Sequence, residues 1–122
     1  MCQEFEIEID EKIIPQIAFY FAGGIGNSGS VCGAVIGAVM AIGLKKGRAG
    51  SMEEMLGNLA FAREFRRRFE EETGNIDCRE LTGIDLTTQE GLSELMSSDA
   101  ANTVCYPAVA AAYRIVVEML KV

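Results

Sequence analysis

The 122-residue sequence predicts an all-α fold, a compact multi-helix domain behind a short extended N-terminal arm, on three observations. Apolar residues recur at helical spacing through most of the chain, whereas strict alternation is confined to Glu4 to Ile9. Ser, Thr or Asp precede the helical segments and Gly follows several of them, so caps and stops divide the chain into helices of ordinary length. The length suits one core, since stable domains typically need about 50 to 200 residues. Residues 1–9 are therefore expected to form the arm and residues 10–122 a single helical domain.

In the arm, Glu4, Glu6 and Glu8 alternate with Phe5, Ile7 and Ile9, which gives a strand one apolar face. No later segment alternates, so its mate is expected in a second copy, making the protein a homodimer. From Asp10, the expected N-cap, Ile13, Ile14, Ile17 and Phe21 fall on one helical side, with Pro15 tolerated in the first turn. Gly23 to Gly29, GGIGNSG, stops that helix and turns the chain. Ser30 is the expected cap of a helix of about sixteen residues that ends at Lys45, Lys46 and Gly47, where cations suit the negative helix end. Gly29, Gly33, Gly37 and Ala41 recur every four residues, a bare ridge expected to let another helix approach closely inside the monomer; a dimer seam is the alternative.

Ser51 and Glu54 form a capping box, and Met55, Leu59, Ala62, Phe65 and Phe69 continue an apolar face to the Gly74 stop. Arg63, Arg66, Arg67 and Arg68 beside Glu64, Glu70, Glu71 and Glu72 read as a solvated, salt-bridged face. NIDCRELTG is a short helical turn, and LTTQEGLSELM a short helix opening at Thr87 or Thr88. The last helix is expected from Asn102 or Thr103 to Leu120, with Pro107 in its first turn.

Composition excludes several functions. Eighteen acidic against eleven basic residues give a net charge of -7, which disfavours nucleic acid and anionic lipid. The sequence has no His, which removes Ser-His-Asp and Cys-His catalysis, His-ligated zinc and His-ligated haem. MCQEFEIEIDEK lacks the basic and apolar regions of a secretory signal. Val31 to Leu44, the longest run without charged or strongly polar residues, falls short of the roughly twenty residues that span a bilayer. A cytoplasmic protein without membrane contact is the expectation. Gly24-Ile25-Gly26-Asn27-Ser28-Gly29 matches GxGxxG, but neither the preceding strand nor the acidic residue on a second strand is there, so NAD is not expected. Gly24, Gly26 and Gly29 are instead expected to turn backbone N–H groups toward a bound anion or cofactor at the next helix start.

The four cysteines, Cys2, Cys32, Cys78 and Cys105, contain no CxxC pair, so neither a thioredoxin-type motif nor a zinc ribbon is supported. Cys32, Cys78 and Cys105 each fall in the expected first turn of a helix, where free N–H groups and the positive dipole end favour a thiolate or a sulfur-ligated cluster. These three are the candidate catalytic and metal-ligating residues of a shared redox or metal site, and small buried filler is the competing reading.

FAGGIGNSGSVCGAVIGAVMAIGLKKG, NIDCRELTGIDL and VCYPAVAAAYRIVVEML together resemble the C_GCAxxG_C_C family of redox-active proteins. The family name places Gly before the Cys of GCAxxG, whereas here Gly follows it, in the order Cys32-Gly33-Ala34-Val35-Ile36-Gly37. The resemblance implies a thiol or iron-sulfur site on Cys32, Cys78 and Cys105. Two functions follow: an iron-sulfur electron carrier with an electron-transfer protein as partner and a fourth ligand from elsewhere, or a thiol/disulfide protein. The third reading is an interaction or scaffold protein with structural cysteines.

Overall fold

The computed structural model describes residues 12–121, and within them the fold is all-helical. Helices α1 (Ile13–Ala18), α2 (Gly33–Lys46), α3 (Met52–Thr73), α4 (Cys78–Thr82), α5 (Gln89–Ser97) and α6 (Tyr106–Lys121) follow in order. A 3-10 turn, Phe19–Phe21, extends α1, and a π-helical turn, Ala101–Cys105, leads into α6. The extended arm with its expected dimer pairing, the Asp10 cap and Cys2 lie outside the described residues.

Helix α6 is the axis of the core, packing on both α2 and α3. Ala108, Ala112, Ile115, Val116 and Met119 of α6 meet Val35, Ala38 and Ile42 of α2 and Phe65 and Phe69 of α3. Phe65, Phe69 and Val116 are the largest side chains lost entirely from solvent. Burying each such side chain contributes about 1.5 to 3 kcal/mol. The span Ala101–Lys121 has 21 residues and a mean hydropathy of 1.3, long and apolar enough to cross a membrane, but here it is the central core helix. A second, smaller cluster gathers Cys78, Ile84 and Leu86 under α4 and α5.

Helix α3 begins as its sequence requires. Ser51 Oγ accepts from the Glu54 N–H at 3.1 Å, while Glu54 Oε2 accepts from Gly50, one residue before the Ser51 N–H that a capping box uses. Gly74, at φ 95°, ends the helix in the left-handed region that glycine adopts without a Cβ clash. Arg67 bridges Glu64 and Glu71, both at 2.7 Å, and Arg68 and Arg66 pair with Glu64 and Glu70, so the charged run is the expected salt-bridged face. Arg114 reaches Glu72 and ties α6 to α3.

Two expectations for the core need correction. The apolar face of α3 is buried only at Phe65 and Phe69; Met52, Met55, Leu56 and Leu59 are exposed. At Gly33 and Gly37 the bare ridge of α2 does not mediate a close helix approach, although Ala41 at its end is buried. A Cβ on Gly37 would meet nothing within 4 Å, and one on Gly33 would touch only the Phe21 carbonyl at 3.5 Å. The two glycines instead line an open apolar groove of about 290 Å³ between α2 and α6. Helix α2 meets the core through Val35, Ala38 and Ile42, a face rotated away from the ridge.

Candidate functional site

Three non-regular pieces of backbone assemble the cysteine end of the molecule. The first is the Gly-rich turn. Gly23, Gly24, Ile25, Gly26 and Asn27 all have positive φ, between 58° and 72°, and Gly29 follows at 73°. Five successive left-handed residues are costly for L-amino acids, and Ile25 is β-branched, so the run persists only because its hydrogen bonds fix it. Every N–H from residue 25 to residue 30 donates to a backbone carbonyl: those of Ile25, Gly26 and Asn27 to Phe21, Tyr20 and Ala22, and those of Ser28, Gly29 and Ser30 to Ile25, Gly23 and Gly24. The N–H groups of Gly26 and Gly29, expected to face a bound anion or cofactor, are therefore spent within the turn. Gly24 serves the turn sterically, because a Cβ there would sit 2.5 Å from the Ser30 nitrogen and the chain can fold back only on glycine.

The second piece joins that turn to α4. Val31 and Asp77 form an isolated antiparallel bridge, around which the Cys32 N–H donates to the Ile76 carbonyl and the Cys78 N–H to the Ser30 carbonyl, both at 2.7 Å, and the Arg79 N–H to the Gly29 carbonyl at 3.2 Å. Asn75 Oδ1 accepts from the Ile76 and Asp77 N–H groups and so shapes the strand that carries Cys78. Because 31 faces 77, Cys32 and Cys78 stand one step beyond the bridge pair on the ribbon's other side, as diagonal neighbours, a relationship that typically leaves residues about 7 to 8 Å apart. The ribbon then splits into two helices. Cys32, with ψ 134°, is itself the cap residue of α2, displacing the expected Ser30, whose carbonyl is engaged by Cys78. Cys32 makes no side-chain capping bond, while its carbonyl accepts from Val35 and Ile36. Cys78 is the first residue of α4 behind Asp77, as the sequence predicts.

The third piece brings in Cys105. Helical backbone starts before Asn102, with the Asp99 carbonyl accepting from Asn102 and Thr103, so Cys105 is not in a first turn with free N–H groups. It closes the π-helical turn, in which the Tyr106 N–H donates to the Ala101 carbonyl. Pro107 explains the widening: it lacks an N–H for the helix ladder and its ring would press on the carbonyl four residues back. The π-turn packs on α4 and so places Cys105 on the Cys78 side of the core.

All three thiols are free; Cys78 is buried, and Cys32 and Cys105 are half-buried. Burial pushes the Cys78 thiol up from its ordinary value, and charge on Cys32 and then on Cys105 pushes it further. Burial likewise raises Cys105, with charge on Cys32 adding to it. The three thiols are therefore electrostatically linked, each within reach of the other two. Among the described residues no group of three or more Cys, Asp or Glu side chains is drawn together closely enough to hold a metal ion. The residues that sequence reasoning missed are those that make the trio: Val31 with Asp77, Gly29 against Arg79, and the widened turn before Pro107. Two of these carried a readable signal of irregularity: Gly29, in the Gly-rich turn, and Pro107, a helix breaker inside an apolar helical run.

The family model described as "Putative redox-active protein (C_GCAxxG_C_C)" matches residues 1–119. No curated protein and no solved structure matches the chain.

Proposed function

From the premise that the chain belongs to the C_GCAxxG_C_C redox-active family, we propose that it is a thiol/disulfide redox protein in which Cys32 attacks and Cys78 resolves. The observation that carries this reading is the ribbon around Val31 and Asp77, which holds those two cysteines as diagonal neighbours at the starts of α2 and α4. An iron-sulfur cluster, the other reading of the same residues, needs cysteinyl sulfurs gathered around one centre; the described side chains do not present that group.

The chemistry is a two-electron exchange. The half-buried Cys32, as thiolate, attacks one sulfur of a disulfide on a partner protein, forms a mixed disulfide and expels the partner's other sulfur as a thiolate. Cys78 gives up its proton and attacks the Cys32 sulfur, closing a Cys32–Cys78 bond and releasing the second partner thiolate. Two electrons pass from the dithiol to the partner, and the two released thiolates take up protons. Burial suits Cys78 to the second step, because it is shielded from outside oxidants and reached only from within. Cys105 lies within electrostatic reach of both and shares the site.

The test is anaerobic purification, thiol titration before and after oxidised glutathione, and mapping of the linked cysteines by mass spectrometry. Reversible loss of two thiols, mapped to Cys32 and Cys78, is the expected result. Stoichiometric iron and sulfide would replace this reading with the electron carrier, and thiols that neither oxidise nor bind metal would replace it with the scaffold.

A further inference from the structure

The turn and the ribbon meet where Gly29 faces Arg79. Gly29, at φ 73°, is so close to α4 that a Cβ built on it would lie 2.8 Å from Arg79 Cβ, 3.6 Å from Arg79 Cδ and 3.7 Å from Arg79 Cα. The nearest of these is the root of a side chain, fixed to the backbone, so it can withdraw only if the start of α4 withdraws. The same two residues share a hydrogen bond, Arg79 N–H to the Gly29 carbonyl, and the next pair in, Cys78 and Ser30, shares another. A displacement of Arg79 is therefore passed to its chain neighbour Cys78, while Cys32 stays on the opposite strand at the head of α2.

We propose that Gly29 is a positioning residue of the thiol pair, its missing side chain allowing α4 to sit close enough to α2 for Cys32 and Cys78 to reach each other. The inference rests on the thiol/disulfide reading and adds the element that sets the pair's separation. A disulfide requires Cα atoms roughly 4.4 to 6.8 Å apart, and diagonal neighbours on a ribbon, typically about 7 to 8 Å apart, stand just beyond that range, so the bond closes only as the ribbon draws in. A pair so placed has little distance to lose. Its disulfide equilibrium is sensitive to a few tenths of an ångström at the ribbon, which is what a Cβ at position 29 would demand.

Gly26 supplies the control. It lies in the same turn with φ 58°, yet a Cβ there would meet nothing within 4 Å. Gly26→Ala and Gly29→Ala both place an L side chain in left-handed backbone; only the second also crowds α4. The experiment equilibrates the full chain, as wild type and variants, with glutathione buffers and quantifies the Cys32–Cys78 disulfide. Gly29→Ala is expected to shift the equilibrium toward the dithiol by tenfold or more, about 30 mV for a two-electron couple, while Gly26→Ala stays within twofold of wild type. Gly29→Ala/Arg79→Gly, which takes away the atom the new Cβ strikes, is expected to return most of the shift. A Gly29→Ala equilibrium within twofold of wild type, an equal shift in Gly26→Ala, or no recovery in the double variant overturns the proposal.

A second readout separates this inference from the reading beneath it. A bis-alkylating reagent that becomes fluorescent only on bridging two adjacent thiols reports the Cys32–Cys78 separation whether or not the protein forms a disulfide. If wild type forms none, the thiol/disulfide reading fails, but Gly29 remains a positioning residue provided that bridging is lost in Gly29→Ala and kept in Gly26→Ala. Equal bridging in all three ends the proposal, as does absence of bridging in wild type.

Discussion

The core of α2, α3 and α6 and the cysteine end are built by opposite means. In the core, regular helices bury aliphatic and aromatic side chains, and Phe65, Phe69 and Val116 lose all contact with solvent. At the cysteine end, a left-handed turn, a single antiparallel bridge and a π-turn are held chiefly by backbone hydrogen bonds, with Cys78, Ile84 and Leu86 as their small apolar base. Burial is non-directional and tolerates small shifts, whereas a hydrogen-bonded ribbon fixes separations. The difference shows a division of labour: the core holds the fold, and costly backbone is concentrated where thiols must be placed.

The largest expected effect breaks the core side of this comparison. Phe69→Ala removes a fully buried ring whose centroid lies 6.1 Å from that of Phe65 and should cost about 3 to 5 kcal/mol in urea unfolding. If the two regions are distinct, the fraction that remains folded keeps the wild-type Cys32–Cys78 equilibrium. A changed equilibrium in folded Phe69→Ala would show that the core also sets the thiol separation. Next in size, and opposite in sign, is Gly37→Ala. It sits mid-helix with open space around its Cβ position, so the substitution should stabilise by about 0.5 to 1 kcal/mol, read as a higher urea midpoint. Loss of stability would mean that another chain covers the α2–α6 groove in solution.

The core was the legible half. Ser51 with Glu54, the Gly74 stop, Thr88 as cap of α5 and the Arg–Glu ladder are local signals, and each produces the expected element because its determinants lie within four residues of one another. The misread features depend on distant partners. Ser30 has the chemistry of a cap, but its carbonyl is claimed by Cys78, 48 positions away, and the cap falls two residues later at Cys32. Gly37 has the spacing of a packing glycine, yet which side of α2 faces α6 is decided by Val35, Ala38 and Ile42. GGIGNSG announced a turn without its hand, because five left-handed residues in succession are made tolerable only by bonds that the sequence does not display.

The smallest expected effects separate the two regions by pH. Burial raises the Cys78 and Cys105 thiols, so the folded state favours their neutral forms. That contribution is fully present below the ordinary thiol value of 9.0 and is lost as pH rises through the raised folded values. Under reducing conditions the urea midpoint should fall across this alkaline window, and Cys78→Ala should flatten the fall. The charged face behaves in the opposite sense. Hydrogen bonds from Arg67 and then Arg68 lower the Glu64 carboxyl from 4.5 to about 2, so its contribution is complete above 4.5 and disappears as pH falls through about 2. Glu64 is solvent-screened, so this acid-side contribution should be small and should shrink further in salt. Glu64→Gln should therefore flatten the acid limb and leave the alkaline limb intact, while Cys78→Ala does the reverse. If either substitution moves both limbs, the ribbon and α3 are coupled through α6, and the cysteine end borrows its rigidity from the core.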